Sequence, residues 1–336
     1  MAGTSSARAN ERLGRCAAHL RARALAPTAA ASGQKTKVLL VGTMHPSGPE
    51  MLAQREDIEL IHIEKAADGS LLSSEQRVAE MQAQVADADL LVMRVTPLQA
   101  DTIAMAKKLL AVSWHGVGFD PVDVAALRAR GIPLLLPGSA NSTAVAEQTM
   151  MHMLSVARKT KEYDAQARLG NHSIRDNNSL ISLEGKTVLI VGFGRVGTRV
   201  AKRCTAFEMN IVVSDPAIPR RAVEGLGYEY CFDFRERLHD ADVVTLHIPA
   251  QEDGSAVIAA KEFALMKKGC ILVNCARGTL LDEGDLVSAL STGQLAGAGL
   301  DVLRQEPYDP DHPLFALPPT IPVHVSPHSS PSTVET

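Results

Sequence analysis

The sequence predicts an α/β protein with two lobes in series, each built on a parallel sheet. The main observation is that short apolar runs alternate with segments of helical periodicity from Lys37 onward. This alternation stops at a polar segment, residues 171–185, and starts again at Lys186. The second observation is length, since 336 residues suffice for two domains that each bury a core.

The first series of elements alternates strands with helices. KVLLVG and IELIHI predict buried strands, SSEQRVAEMQAQV predicts a helix that begins with a serine cap, and DLLVMRV predicts the next strand. TPLQADTIAMAKKL, LLAVSWHG, DPVDVAALRARG and IPLLLP continue the pattern. This order is typical of a parallel sheet.

The second series begins with residues 141–170, which predict one long helix linking the lobes. After the polar segment, KTVLIVG, NIVVSD, DVVTLHIP, CILVNCA and LAGAGLDV predict strands separated by helical stretches. We therefore divide the chain into a leader, residues 1–35, a first domain, residues 36–140, and a second domain, residues 141–329.

Composition excludes several classes of protein. A net charge of −4 and a pI near 6.3 give no electrostatic reason to expect nucleic acid or an anionic membrane as partner. No apolar run approaches the ~20 residues that span a bilayer. The cysteines are odd in number and lack CxxC spacing, so we expect reduced thiols and no metal site. They are Cys16, Cys204, Cys231, Cys270 and Cys275.

The leader has a composition of its own. It contains a single acid, Glu11, and is otherwise rich in alanine, serine and arginine. An arginine-bearing, acid-poor leader is typical of an organelle transit peptide, and mitochondrion and plastid are equally compatible with it. The alternative is an N-terminal extension without an address. Its arginines are Arg8, Arg12, Arg15, Arg21 and Arg23.

A glycine-rich string follows the first strand of the second lobe and predicts a dinucleotide site. The string is Gly192, Phe193, Gly194, Arg195, Val196 and Gly197. A helix and a further strand follow it, and Asp215 ends that strand. Glycines let the backbone approach a pyrophosphate at a helix N-terminus, and the acid accepts hydrogen bonds from a ribose diol. Asp215 favours NAD over NADP, although Arg220 and Arg221 could soften this preference.

Later strand ends carry charged and titratable side chains. ILVNCARG places Arg277 directly after an apolar strand, and LAGAGLDVLRQEP places Asp301 and Glu306 after the next one. VHVSPH places His328 after another. Because parallel strands end at one edge, we expect these side chains to meet there. Arginine can bind a substrate carboxylate and carbonyl, histidine can transfer a proton near neutral pH, and a carboxylate can orient that histidine.

At these residues the sequence resembles the D-isomer-specific 2-hydroxyacid dehydrogenase family. The matching motifs occur in order from Lys37 to Thr333. They are HGVGFDPVD, ANSTAVAEQT, GKTVLIVGFGRVG, LHIP, MKKGCILVNCARGTLLDE, LAGAGLDVLRQEP and SPH. The resemblance implies two Rossmann-like lobes, a doubly wound NAD-binding domain and a flavodoxin-like substrate domain. Substrate and cofactor NAD would lie in a cleft between the lobes, and the long helix would help form a homodimer.

The resemblance also implies roles for individual residues. Arg277 would bind substrate, and Glu306 and His328 would form the acid/base pair. The backbone amides of Val117 and Gly118 would bind the substrate carboxylate.

Further positions match residues near the ligands of the family. Arg94, in MRVTP, matches a position near the substrate. Cofactor contacts are implied for Ile248, Cys275, Ala276 and Asp301, the last near the nicotinamide carboxamide.

Two features depart from the pattern of the family. Members usually continue past the histidine into a helix that packs on the substrate lobe, and residues 330–336 would form only its beginning, a stub of the first domain. Ser329 and Ser330 stand where alanine and glycine are common.

The resemblance leads to two functional hypotheses. The first is an NAD-dependent enzyme that interconverts small 2-oxo acids, such as glyoxylate or hydroxypyruvate, and D-2-hydroxy acids. Phosphoglycerate oxidation is a variant of it. The alternative is a catalytically silent NAD(H)-binding regulatory protein of the corepressor type, because those relatives also keep catalytic-type residues.

Overall fold

The structure is a computed structural model that describes residues 35–333. The leader before Lys35 and the last three residues of the predicted C-terminal stub lie outside the described residues. The chain separates into two compact units between Gly138 and Ser139. None of the helices in the described range is long and apolar enough to cross a membrane.

The first unit is a five-stranded sheet with helices between its strands. The strands are β1 (Thr36–Val41), β2 (Ile58–Ile63), β3 (Leu90–Met93), β4 (Ala111–Trp114) and β5 (Leu134–Leu135). The helices are α1 (Ser47–Ala53), α2 (Ser74–Gln84), α3 (Ala100–Met105) and α4 (Val124–Ala129), and Val85–Asp87 forms a 3-10 turn. The strand order is β2-β1-β3-β4-β5 with every pair parallel, which is the flavodoxin-like order.

The second unit is a seven-stranded parallel sheet. Its strands are β6 (Thr187–Val191), β7 (Asn210–Ser214), β8 (Glu229–Cys231), β9 (Val243–Leu246), β10 (Cys270–Asn274), β11 (Leu295–Leu300) and β12 (Val323–Val325). The order β12-β11-β10-β9-β6-β7-β8 places β6 at the point where the winding reverses. The predicted class, two parallel α/β units of Rossmann-like type, is confirmed.

Helices of the second unit connect these strands. They are α5 (Ser142–Ala157), α6 (Thr160–Arg168), α7 (Gly197–Ala206), α8 (Arg220–Glu224), α9 (Ala260–Leu265) and α10 (Glu283–Ser291). Four 3-10 turns are described here: His172–Asn177, Phe234–Arg237, Gly278–Leu280 and Pro313–Ala316.

Alternate residues of the central strands fill two separate cores. In β6, Val188 and Ile190 pack in one apolar cluster, while Leu189 and Val191 pack in the other. Successive side chains of a strand point to opposite faces, so both faces of this sheet are buried. Uninterrupted apolar runs such as TVLIV therefore specify a central strand that positions the loop after it.

The predicted capping residue of α2 is confirmed, and the predicted long helix is wrong. Ser73 accepts a hydrogen bond from the backbone N–H of Gln76, whose side chain accepts one from Ser73 N–H. The segment 141–170 instead forms α5 and α6, separated at Lys159, which has a left-handed backbone with φ of 46°. The carbonyl of Ala157 accepts from the backbone N–H of Ile181, which replaces a helical hydrogen bond and ends α5.

The C-terminal residues differ from the predicted domain division. Ser330, assigned from the sequence to the first domain, lies in the second unit and donates its backbone N–H to Asp301. The four cysteines in residues 35–333 are buried free thiols.

Candidate active site

The glycine-rich loop lies at the carboxyl end of β6, where the sheet reverses its winding. Gly192 has φ of +96°, and a Cβ on it would lie 2.5 Å from the carbonyl oxygen of His247. A Cβ on Gly197 would overlap the carbonyl oxygen of Gly192. Both positions therefore require glycine, and together they bring the loop close to β9 and start α7.

Gly194 has a different environment, because a Cβ on it would meet nothing within 4 Å. Its backbone is exposed beside the first turn of the ten-residue helix α7. Arg195 is exposed, and Val196 is the N-cap residue of α7. An exposed glycine backbone beside a helix N-terminus is a place where a pyrophosphate can approach closely.

Asp215 directly follows β7 and is hydrogen-bonded to the glycine loop. Its Oδ2 accepts from the backbone N–H of Phe193 at 2.8 Å, and its Oδ1 accepts from Ala217 N–H at 2.9 Å. Each carboxylate oxygen has capacity for another hydrogen bond, as binding a ribose diol requires. The loop, the start of α7 and Asp215 therefore fit a dinucleotide.

A tight turn after β10 presents Arg277. The buried side chain of Asn274 donates to the carbonyl of Arg277 at 2.8 Å and accepts from Ala276 N–H at 3.0 Å. A Cβ on Gly278 would overlap the carbonyl carbon of Leu303, so only glycine fits there. The guanidinium of Arg277 donates to the carbonyl of Ala276 at 2.6 Å.

Glu306 and His328 form a close pair. Nδ1 of His328 lies 2.7 Å from Oε2 of Glu306, and both side chains are partly exposed. This hydrogen bond raises the pKa of His328 above its ordinary value, against partial burial and the positive charge of Arg277, which lower it. The structure therefore brings the three predicted catalytic side chains together at the carboxyl edge of the sheet.

The carboxylate of Asp301 organises the loop that carries His328. Asp301 has no exposed surface and follows β11. Its Oδ1 accepts from Ser326 Oγ at 2.5 Å and Ser329 N–H at 2.9 Å, while its Oδ2 accepts from the N–H of Ser330 at 2.9 Å and from its hydroxyl. These four loop donors hold the carboxylate, and the position of Asp301 near the nicotinamide, which the resemblance implies, stays a prediction.

The unusual serines of this loop thus have structural roles. Ser330, which weakened the match to the family pattern, supplies two of the four donors to Asp301. Tyr308, which the sequence did not single out, donates its hydroxyl to the carbonyls of Asp301 and Ser326, both at 2.8 Å. The carbonyls of Asp301 and Ser326 also accept from the backbone N–H of His328, so its position is fixed from several sides.

Sequence reasoning missed Asn274, Tyr308 and Ser326. Asn274 had a detectable signal, because it is a polar residue that ends an otherwise apolar strand. No local pattern marked Tyr308, and Ser326 is the serine of the motif SPH, to which no role was assigned.

The remaining predicted cofactor contacts lie at neighbouring strand ends. Ile248 follows β9, and a Cβ on Gly192 would lie 2.9 Å from its Cγ2 atom, which places it against the glycine loop. Cys275 and Ala276 follow β10, and burial raises the pKa of the Cys275 thiol to about 12. Cys275 is therefore a neutral packing residue at neutral pH.

The predicted substrate residues Arg94, Val117 and Gly118 belong to the first unit. Arg94 follows β3 and donates to the carbonyl of Thr43 at 3.1 Å. The indole N–H of Trp114 donates to the carbonyl of Gly118 at 2.7 Å and closes the loop that contains Val117. Partial burial and the charge of Arg94 lower the pKa of His115, which follows β4. Arg94 and His115 are thus close enough for their charges to interact.

Together, the fold and glycine loop define a nicotinamide dinucleotide-binding protein with an Arg–Glu–His cluster at the carboxyl edge of its sheet. Residues 150–330 match the family model described as D-isomer specific 2-hydroxyacid dehydrogenase, NAD binding domain. The chain belongs to the D-isomer specific 2-hydroxyacid dehydrogenase family. The predictions of this family and of a nicotinamide dinucleotide cofactor are confirmed.

Named relatives extend the similarity over most of the chain. The glyoxylate reductase of Thermococcus litoralis is 33% identical over 308 residues, 90% of this chain and 89% of the relative. The D-3-phosphoglycerate dehydrogenase of Methanocaldococcus jannaschii is 38% identical over 300 residues, 89% of this chain. The alignment covers only 54% of that relative, so the chain spans about half the length of such dehydrogenases. The crystal structure of the TT0316 protein from Thermus thermophilus superposes with a TM-score of 0.77 and 34% identity, covering 88% of this chain and 90% of that one.

Proposed function

We propose that this protein is an NAD-dependent enzyme that interconverts a small 2-oxo acid and its D-2-hydroxy acid. The observation that carries the proposal is the Glu306–His328 pair, 2.7 Å apart and within range of the charge of Arg277. Parallel strands bring these three side chains to the sheet edge that also carries the glycine loop. An arginine, a carboxylate and a histidine at a dinucleotide site fit the reduction of a carbonyl beside a carboxylate.

Each catalytic side chain has a distinct task in the proposed reaction. Arg277 binds the carboxylate and the carbonyl oxygen of the 2-oxo acid with its planar guanidinium. His328 holds Nδ1 against Glu306, which leaves Nε2 as the atom that gives a proton to the carbonyl oxygen. Glu306 stabilises the protonated imidazole and fixes its ring. When bound, the reduced nicotinamide supplies the hydride to the carbonyl carbon.

NAD is the preferred coenzyme in this proposal. The carboxylate of Asp215 accepts hydrogen bonds from ribose hydroxyls and repels a 2′-phosphate. Arg220 pairs with Glu224 at 2.9 Å and lies over the ring of Tyr230, at 5.9 Å from its centroid. Arg220 is thus engaged with neighbouring side chains, so it softens the preference little.

The proposed substrates are small 2-oxo acids such as glyoxylate and hydroxypyruvate. The glyoxylate reductase relative is matched over 89% of its length, whereas the phosphoglycerate dehydrogenase relative is matched over 54%. In the first unit, the proposal assigns the substrate carboxylate to the backbone amides of Val117 and Gly118, and gives Arg94 a contact with substrate. The Trp114 hydrogen bond to Gly118 supports a fixed loop there.

The test is NADH oxidation by the purified chain, begun near Gln34, with glyoxylate, hydroxypyruvate, pyruvate and 3-phosphohydroxypyruvate. Turnover of one of the unphosphorylated acids, faster with NADH than with NADPH, supports the proposal and identifies the substrate class. Selective turnover of 3-phosphohydroxypyruvate would contradict the proposed substrates and show that the enzyme acts on a phosphorylated 2-oxo acid. NADH binding without turnover of any acid would contradict the enzyme and favour the silent regulatory protein.

We also propose a homodimer and an organelle address for the full chain. The resemblance to the family, in which the helix that begins near Asn141 helps to form a homodimer, supports the dimer, and light scattering after size exclusion would test it. The arginine-bearing composition of residues 1–35 supports an address. Fusing these residues to a fluorescent protein tests import, and diffuse fluorescence would contradict it.

A further inference from the structure

A buried imidazole lies beside the His328 loop and has no task in the proposed reaction. His152 is in the middle of α5 and has no exposed surface. A Cβ on Gly299 would lie 2.5 Å from the Cβ of His152, so β11 has a glycine where this histidine packs. Gly299 is two residues before Asp301, which brings His152 to the base of the loop.

His152 uses both ring nitrogens in hydrogen bonds. Its Nε2 lies 2.9 Å from Ser326 Oγ, and its Nδ1 lies 3.1 Å from Nδ1 of His324. Gln148, one turn earlier on α5, donates its side-chain N–H to Ser326 Oγ at 2.9 Å. Ser326 Oγ in turn lies 2.5 Å from Asp301 Oδ1.

The direction of these hydrogen bonds follows from the chemistry of the groups. An ionised Asp301 only accepts, so the single hydroxyl proton of Ser326 goes to it. Ser326 Oγ must then accept from both Gln148 and His152, which places the proton of His152 on Nε2. Nδ1 of a neutral His152 is an acceptor, so His324 donates from its own Nδ1. The result is one directed chain of donors that ends at the Asp301 carboxylate.

His152 is neutral around neutral pH. Burial, the adjacent His324 and the charge of Lys161 lower the pKa of His152 to about 4, while the Asp301 carboxylate acts in the opposite direction. His152 therefore acts as a hydrogen-bond donor and not as a positive charge.

The position of Ser326 determines the position of the proton donor. The carbonyl of Ser326 accepts from His328 N–H at 2.9 Å, within the turn that presents His328. His328 has a left-handed backbone, with φ of 49°, which a non-glycine residue keeps only when its surroundings hold it there. Loosening Ser326 would free this turn and weaken the contact between His328 and Glu306.

We propose that His152 is a positioning residue for the reaction: it holds Ser326 against Asp301 and so fixes the turn that presents His328 to the substrate. This role presupposes the enzyme activity that is proposed above. The alternative is that His152 only fills space between α5 and β11.

The first experiment observes the proton positions and requires no activity. Long-range proton–nitrogen spectra of the apo protein distinguish the two neutral imidazole forms. The expected spectrum at pH 7 shows His152 protonated on Nε2 and His324 protonated on Nδ1, each assigned with the spectrum of the His152→Leu or His324→Val variant. A His152 protonated on Nδ1, or on both nitrogens, would overturn the proposal.

The second experiment separates positioning from packing with three variants. His152→Leu keeps the apolar volume and removes the donor, His152→Gln keeps an N–H near the place of Nε2, and Val156→Ala removes packing against Gly297 of the same strand. We expect His152→Leu to lower kcat about tenfold, or about 1.4 kcal/mol, and to move the pKa of His328 toward its ordinary value of 6.5. His152→Gln should restore most of both, and Val156→Ala should change neither.

Unchanged kcat and unchanged His328 titration in His152→Leu would overturn the proposal, as would equal losses in Val156→Ala. If His152→Leu does not fold, Ser326→Ala replaces it, with the same expected changes. If the wild-type protein reduces no 2-oxo acid, the proposed function fails, while the His328 titration still decides whether His152 positions it.

Discussion

Nδ1 of His328 lies 2.7 Å from Oε2 of Glu306, although 22 positions separate the two residues in the chain. The contact joins the ends of two neighbouring parallel strands, β11 and β12. The hydrogen bond raises the pKa of His328 above its ordinary value of 6.5. The pair therefore retains a proton, which reduction of a carbonyl would consume, to higher pH than a free imidazole does.

Replacing Glu306 with glutamine should move the pH profile of reduction. In the proposed reaction protonated His328 is the acid, so the rate of reduction should fall as pH rises through its raised pKa. Glu306→Gln removes the carboxylate charge, lowers this pKa and moves the falling limb to lower pH, with turnover at pH 7 reduced by about tenfold or more. An unchanged limb in kcat/KM between pH 5 and 9 would contradict the pairing.

The same pair should contribute to the pH dependence of stability. The folded pKa of His328 lies above its unfolded value, so its contribution is fully present below about pH 6.5 and is lost as pH rises through the folded pKa. Denaturation midpoints of the wild type and Glu306→Gln should therefore converge at alkaline pH. A constant difference between pH 6 and 9 would contradict this linkage.

Gly194→Ala should weaken cofactor binding and leave the stability of the fold nearly unchanged. A Cβ at Gly194 meets nothing within 4 Å, so the free energy of unfolding should change by less than about 0.5 kcal/mol. The methyl group would occupy the place where a pyrophosphate approaches, and the Kd for NADH, measured by fluorescence, should rise at least about tenfold. Gly284→Ala in α10 is the control: it should leave the Kd for NADH unchanged, and because alanine favours a helix over glycine it should not lower the free energy of unfolding. Equal NADH affinity in both variants would show that the cofactor does not bind at this loop.

Asp215→Asn should reduce the discrimination between coenzymes. The variant removes the charge but keeps one oxygen for Phe193 N–H or Ala217 N–H. Losing a charge-assisted hydrogen bond of about 1.5–3 kcal/mol should weaken NADH binding about 10- to 100-fold. The affinity for NADPH should fall less, because its 2′-phosphate is no longer repelled by the carboxylate. The ratio of kcat/KM for the two coenzymes measures the change, and a constant ratio would contradict the role of Asp215.

Asp301→Asn should destabilise the protein. An amide keeps one oxygen and places its NH2 group either against the donors of Ser326 and Ser329 or against the two donors of Ser330, which leaves buried polar groups unsatisfied at a cost of about 2 kcal/mol. Urea denaturation measures this loss, and the exposed Asp311→Asn provides the control. Equal stability of the two variants would show that the loop does not depend on this carboxylate.

The sequence was most informative where one periodic pattern specifies one element. The apolar run TVLIV, the glycines after it and Asp215 after the next strand predicted a dinucleotide loop, and this loop lies at the reversal point of the second sheet. The sequence did not predict β8, because EYC is short and only partly apolar. It also did not predict the break at Lys159. The backbone N–H of Ile181, which donates to the carbonyl of Ala157 and ends α5, is distant in sequence.

In the candidate site, too, local patterns predicted some features, while others depend on residues that are distant in sequence. Arg277, Glu306 and His328 follow recognisable strands, so the parallel fold alone brings them to one edge. The supporting contacts join residues that no local pattern relates, such as His152 and Ser326, which lie 174 positions apart. The sequence did not show that Asp301 holds the loop that carries His328, because its four donors come from a loop whose path depends on the finished fold.

The most direct test of the proposed function compares the wild type with His328→Ala in one assay of NADH oxidation, with NADH binding followed by fluorescence. We expect turnover of a small 2-oxo acid by the wild type and a loss of about 100-fold or more in kcat for His328→Ala. NADH affinity should stay within about twofold, because the histidine acts on the substrate. Unchanged turnover in His328→Ala would contradict its assignment as the proton donor.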